Sequence, residues 1–290
     1  MNRHLLVAIS DNPRAIHGVR FVSSFFSQSC DLKLTLFAAF PQGPRVWEEE
    51  KSYETLTLSD DYARKYEQQF RQALDAAKAM LTAGGFDTNN IDIKCVPQTG
   101  STVDDILNEG EKGLYDAVVL GKRGLMRLEQ LVERSVTEEA LKHKTTVPLW
   151  ICRTPDEDRL GVLLCLDGSE ACYRIADHAG FMLGMATHHP ITLFQVVSGK
   201  THSPDTETIF ARARAILDEN GVETERIECR TADNAKISQT ILEMADKGGY
   251  AAIAMGRTGA GKGLLGRVFL GSASRQVMLG LRDSALWLCR

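Results

Sequence analysis

The chain has 290 residues, of which 43% are hydrophobic and 25% charged, with a formal net charge of −4. That is an ordinary soluble composition at two-domain length. The acidic balance argues against a nucleic-acid surface, and no apolar run approaches a membrane span, so neither nucleic acid nor membrane is an expected partner.

In chain order, MNRHLLVAIS carries too few apolar residues for a signal peptide and reads as a strand centred on Leu5–Ile9. Asn12-Pro13 reads as a helix cap with proline in the first turn, followed by Ile16, Val19, Val22 and Phe26 at helical spacing. Leu34–Ala39 is a second strand. The polar, aromatic segment Pro41–Asp61 reads as a solvated lid, and a helix runs from its end to Ala83, stopped by Gly84-Gly85. Ile91–Val96 is a third strand, Val103–Leu114 a helix and Ala117–Leu120 a fourth strand; a long helical stretch then leads to Val147–Cys152. Strands alternating with helices argue a parallel sheet covered on both faces.

The same order starts again. Val162–Leu166 is a strand, Asp167-Gly168-Ser169-Glu170 a turn with a serine cap, and Cys172, Ala176, Ala179 and Leu183 keep helical spacing. Ile191–Val197 is a strand, Thr208–Glu219 a helix closed by Asn220-Gly221, Arg226–Cys229 a strand, Ile237–Lys247 a helix and Ala251–Met255 a strand. Short motifs recur in order: Thr35-Leu36-Phe37 as Thr192-Leu193-Phe194, Tyr115-x-Ala117 as Tyr250-x-Ala252, and Leu149-Trp150-x-Cys152-Arg153 as Leu286-Trp287-x-Cys289-Arg290. One unit is used twice, as residues 1–153 and 159–290, with Thr154–Asp158 as the linker.

Seven cysteines form no C-x-x-C pair, and Cys152, Cys165 and Cys289 lie in apolar runs. They read as reduced, buried thiols of a cytoplasmic protein. The seven histidines show no ligand spacing, so no metal site is expected.

The stretch from Met255 to Arg275 carries the chemistry. Gly256, Gly259, Gly261, Gly263 and Gly266 follow a buried strand, and Gly271-Ser272 opens a helix. Glycines permit close backbone approach to a ligand, and a helix start offers unpaired N–H groups to an anion. Arg257, Lys262, Arg267 and Arg275 add four positive charges against no acid. Together these suggest a phosphate cradle. A P-loop is excluded, because Gly263 follows Gly261-Lys262 where that motif needs Ser or Thr for Mg²⁺.

On these residues the chain resembles the universal stress protein family, in particular its tandem two-domain members. Leu166-Asp167-Gly168-Ser169-Glu170 carries part of the resemblance. The loop Gly256-x-x-Gly259 with Gly271-Ser272 carries the rest, although eleven residues (260–270) replace the family's nine. The resemblance implies two HUP/Rossmann-like α/β domains with five parallel strands each, joined as a pseudo-two-fold pair through Leu149–Arg153 and Leu286–Arg290. It implies an adenine nucleotide, ATP with or without Mg²⁺. Asp167 would contact the adenine side, and Cys165 and Val196 would line the base pocket. Met255 and Gly256 would lie under base and ribose, with Thr258, Gly259, Gly271, Ser272 and Ala273 holding the phosphates. Both Asp167 and Gly256 end strands at the carboxyl edge, where open α/β sheets bind ligands. Asp167 also has a plainer role, as the residue supporting its own turn.

Half one departs from this pattern. Gly121-Lys122-Arg123-Gly124 keeps the spacing, but Arg134-Ser135 stands in place of Gly-Ser, and Ser135-Val136-Thr137-Glu138 reads as a capping box. Its four basic residues (Lys122, Arg123, Arg127, Arg134) are matched by Glu129, Glu133, Glu138 and Glu139. The expected site is therefore single and lies in half two. The expected function is a regulatory ATP-binding protein with an intramolecular pseudo-dimer, with a further homodimer and a protein partner left open. The alternatives are an ATP pyrophosphatase or nucleotidyl transferase, whose signatures are absent, and a ligand-free scaffold. The loop contains no Asp, Glu, His, Gln or Asn to orient an attacking water, so no catalytic residue is assigned and fast ATP hydrolysis is not expected.

Overall fold

A computed structural model of the chain describes residues 3–11, 16–27, 32–43, 53–121, 146–153, 156–197, 206–257 and 271–290. The first half runs β1 (Arg3–Ala8), α1 (His17–Phe25), β2 (Leu32–Phe40), α2 (Tyr53–Ala83), β3 (Ile91–Pro97), α3 (Thr102–Lys112), β4 (Ala117–Leu120) and β5 (Leu149–Cys152). The second runs β6 (Gly161–Cys165), α4 (Glu170–Leu183), β7 (Ile191–Val197), α5 (Thr206–Glu219) and β8 (Ile227–Asp233). It finishes with α6 (Ile237–Gly248), β9 (Tyr250–Gly256), α7 (Ser272–Gly280) and β10 (Ala285–Cys289). Among the described residues, no helix is long and apolar enough to cross a membrane.

The ten strands among the described residues form one sheet, ordered β3-β2-β1-β4-β5-β10-β9-β6-β7-β8. Each half contributes five parallel strands in the order 3-2-1-4-5, and the halves meet through β5 and β10, the one antiparallel pair among the described residues. Central strands such as β4, β5, β6 and β10 are buried at every residue. Helices cover both faces there, so these strands read as unbroken apolar runs rather than alternating ones.

The join is centred on two tryptophans. Trp150 lies opposite Trp287 in the ladder, and their rings stack at 4.1 Å with 5° between planes. They hold equivalent places in the repeat, so an antiparallel pairing at this register puts the pseudo-two-fold axis between them. Phe21 and Phe25 meet Trp287 edge-on, and Phe26 stacks on Trp150. Each such ring buries roughly 150–250 Å². One face of the sheet therefore carries a single core running through both halves, from Leu5 to Cys289. On the other face there are two clusters, one per half, with Ile151 of β5 packing into that of the second half.

Two histidines are sealed into this join. Trp150 Nε1 donates to His178 Nε2 at 3.0 Å, and burial pushes the His178 pKa down to about 3. His189 is fully buried, with Nδ1 2.7 Å from the Leu160 carbonyl and Nε2 2.7 Å from the Phe25 carbonyl in the other half. Burial lowers its pKa to about 4 against the pull of those two carbonyls.

The lid expected over Pro41–Asp61 is corrected in part. From Tyr53 onward the segment is the first part of α2, a helix of 31 residues; residues 44–52 lie outside the described ones. Thr and Ser are mediocre helix formers, but once the later turns pack Ala63, Tyr66, Phe70 and Leu74 onto the core, extending the helix backward costs no new nucleation. The cap expected at Asn12-Pro13 also lies outside the described residues. The cysteines Cys95, Cys152, Cys165, Cys172, Cys229 and Cys289 are free thiols.

Candidate functional site

Because β6, β7, β8 and β9 are mutually parallel, the turns after them gather at one edge of the sheet. After β6, Asp167 Oδ1 accepts hydrogen bonds from Ser169 N at 3.0 Å and Ser169 Oγ at 2.6 Å. Ser169 in turn caps α4 by accepting from Cys172 N. Gly168 between them sits at φ +79°, a left-handed conformation that favours glycine. Asp167 therefore builds its own turn, and it remains exposed at the strand end.

Cys165, Val196, Met255 and Ala273 come together in one apolar cluster on the α6/α7 face. Cys165 and Met255 each follow a residue of the paired β6–β9 ladder, Leu164 and Ala254. Burial, with a smaller contribution from Asp167, drives the Cys165 thiol far above its usual range. It is an apolar wall, not a nucleophile. Gly256 ends β9, and a Cβ there would lie 2.8 Å from Ala171 Cβ and 3.0 Å from its carbonyl carbon. What demands glycine among the described residues is thus the close approach of α4. Thr258 and Gly259 lie outside the described residues.

Gly271 is the N-cap of α7, with no side-chain cap and no acid in the first turn. Its amide donates to the Arg257 carbonyl at 2.5 Å, and Ser274 Oγ lies 3.1 Å from that same oxygen. The start of α7 is thereby pinned against the end of β9. Arg257 itself departs from the expectation that the loop's basic residues all face an anion. It is 6% exposed, and Nη2 points to the Val147 carbonyl in half one at 3.4 Å. Burial lowers its pKa to about 10. Backbone geometry after β9 turns this side chain into the join between the halves.

A further wall of the cleft, one that the glycine loop does not announce, comes from the turn after β8. A cavity of about 410 Å³ is lined by Ala235, Lys236, Ile237, Ser238, Gln239, Ser272, Ala273 and Gln276. Two helix starts, those of α6 and α7, share it. Like α7, α6 has neither a side-chain cap nor an acid in its first turn, and Lys236 is its N-cap. The matching helix of half one is closed. Ser101 and Asp104 form a full capping box at α3, and Asp105 accepts from Thr99 N and Oγ1. The signal was present in the sequence, as Ser101-x-x-Asp104 against Lys236 with no acid following, but it lay outside the glycine loop.

The chain matches the model of the universal stress protein family twice, over residues 1–153 and 161–281. Among curated proteins none matches. Among solved structures it is similar to a universal stress protein from Archaeoglobus fulgidus DSM 4304, with a TM-score of 0.66 at 16% identity. That match covers 100% of this chain and 97% of the other. It is also similar to a functionally unknown protein from Pseudomonas aeruginosa PAO1, with a TM-score of 0.52 at 15% identity, covering 99% of this chain and 92% of that one. At these identities the likeness concerns the fold.

Proposed function

The chain belongs to the universal stress protein family, and on that premise we propose that it is a cytoplasmic stress-response protein of two domains, 1–153 and 159–290. It binds one adenine nucleotide in the second. The nucleotide is ATP, with or without Mg²⁺. Cys165 and Val196 line the base pocket, Asp167 contacts the adenine side, Met255 and Gly256 lie under base and ribose, and Thr258, Gly259, Gly271, Ser272 and Ala273 hold the phosphates. The loop that holds the phosphates supplies no general base, and Asp167 lies on the adenine side, so hydrolysis is slow or absent.

The observation that carries this reading is the contrast between helix starts. In half two, α6 and α7 both open onto one cavity without a cap or an acid. Four N-terminal amides per helix lack intrahelical partners, and the helix dipole adds a favourable field for an anion there. In half one, Asp104 and Asp105 occupy the corresponding first turn of α3, so the place of an anion is already taken.

Titration calorimetry with ATP on the whole chain tests the reading. The expected stoichiometry is one. Gly271→Glu, which sets a carboxylate at the start of α7, abolishes binding. Arg134→Gly creates no second site. Two equivalent sites, or a site that survives Gly271→Glu, would show that the halves are assigned wrongly.

A further inference from the structure

Gln276 projects from the second turn of α7 into the cavity shared with α6. Its carboxamide carries an acceptor oxygen and two N–H donors, and Ser238 Oγ, on α6, donates to the oxygen, Gln276 Oε1. Ser238 is 8% exposed and Gln276 is exposed, so the bond joins a buried hydroxyl to a side chain at the open side of the cavity. With Oε1 turned toward the serine, the Nε2 end of the amide is left to an occupant of the cavity. The remaining polar groups on the cavity wall also favour an acceptor. Lys236 brings a cation with three donors and Ser272 a hydroxyl able to donate, whereas Gln239 Nε2 is engaged with Glu243 Oε1 at 2.8 Å. None of the eight lining residues is an acid.

We propose that Gln276, oriented by Ser238, is a specificity-determining residue that makes this cleft select the phosphorylated form of its nucleotide over the bare nucleoside. The inference rests on the nucleotide reading above, and it adds the α6 side of the cleft to the phosphate-binding surface. A phosphate chain presents acceptors only, so it matches a wall of donors, whereas the uncharged 5′-hydroxyl of a nucleoside gains little from it. Selection therefore comes from a side chain whose orientation is set by a neighbouring helix, not from the glycine loop alone.

Gln276→Glu separates this role from a structural one. It is nearly isosteric, and Ser238 can still donate to a carboxylate oxygen, so the tie between the helices is retained. What changes is that two donors become a negative charge. Titrations with ATP and with adenosine are run on the full chain for the wild type, Gln276→Glu and Gln276→Leu. The expected result is a loss of ATP affinity of at least tenfold in Gln276→Glu and a smaller loss in Gln276→Leu, with adenosine affinity changed less than twofold in both. Unchanged ATP affinity in Gln276→Glu, or an equal loss for ATP and adenosine, overturns the role given to Gln276. Wild-type protein that binds neither ligand overturns the nucleotide reading itself.

Discussion

Lowering the pH from 7 to 5 should destabilise this protein sharply, and the two histidines at the join are the reason. Burial holds the folded-state pKa at about 3 for His178 and about 4 for His189, against 6.5 for an exposed imidazole. The unfolded chain therefore takes up protons that the folded chain refuses. Stability contributed by these groups is complete above pH 6.5 and is lost as the pH falls toward 4. One proton bound only by the unfolded chain costs about 1.4 kcal/mol for each pH step of one, so each histidine costs roughly 1.8 kcal/mol between pH 7 and pH 5. The pair costs about 3–4 kcal/mol, a large share of the roughly 5–15 kcal/mol that holds a domain folded. His4, whose pKa is lowered by partial burial and by Lys33, acts in the same direction. The measurement is urea unfolding at half-unit steps of pH, followed by the fluorescence of Trp150 and Trp287. Stopping at pH 5 keeps clear of most carboxylate titration. His178→Leu should roughly halve the pH slope whatever it does to absolute stability. A midpoint that stays flat or rises on acidification would refute the reasoning. It would mean that His189, with a carbonyl 2.7 Å from each ring nitrogen, already holds a second proton in the folded state.

Three further substitutions probe packing. Gly256→Ala places a methyl group 2.8 Å from Ala171 Cβ and 3.0 Å from its backbone, and is expected to cost about 1–3 kcal/mol by overpacking; an unchanged urea midpoint would show that α4 yields without strain. Trp150→Phe should cost more than Trp287→Phe by about 1 kcal/mol. The first breaks a buried bond to His178, whereas Trp287 Nε1 has no hydrogen-bond partner among the described residues. Equal losses would refute that accounting.

Much of the architecture was legible in the residue pattern, because helix and strand periodicities and cap residues act over a few positions. Apolar runs such as Val162–Leu166 and Ile191–Val197 marked buried strands. The recurrence of Leu-Trp-x-Cys-Arg marked equivalent strands, whose antiparallel pairing the structure then displays. The placing of Asp167 and Gly256 at one sheet edge also followed from chain order, since parallel strands put their carboxyl ends together. The sequence could not determine which way a side chain turns once the chain leaves the sheet. Arg257 counted as one of four loop cations, yet the fold buries it against half one. Gln276 and Lys236 are 40 residues apart in sequence and gave no joint signal, yet two helix starts bring them to one cavity. His189 counted only as one of seven histidines without ligand spacing, yet it bridges the halves. Each of these depends on what faces the residue across the fold, and burial, unlike periodicity, is a property of the partners a side chain meets.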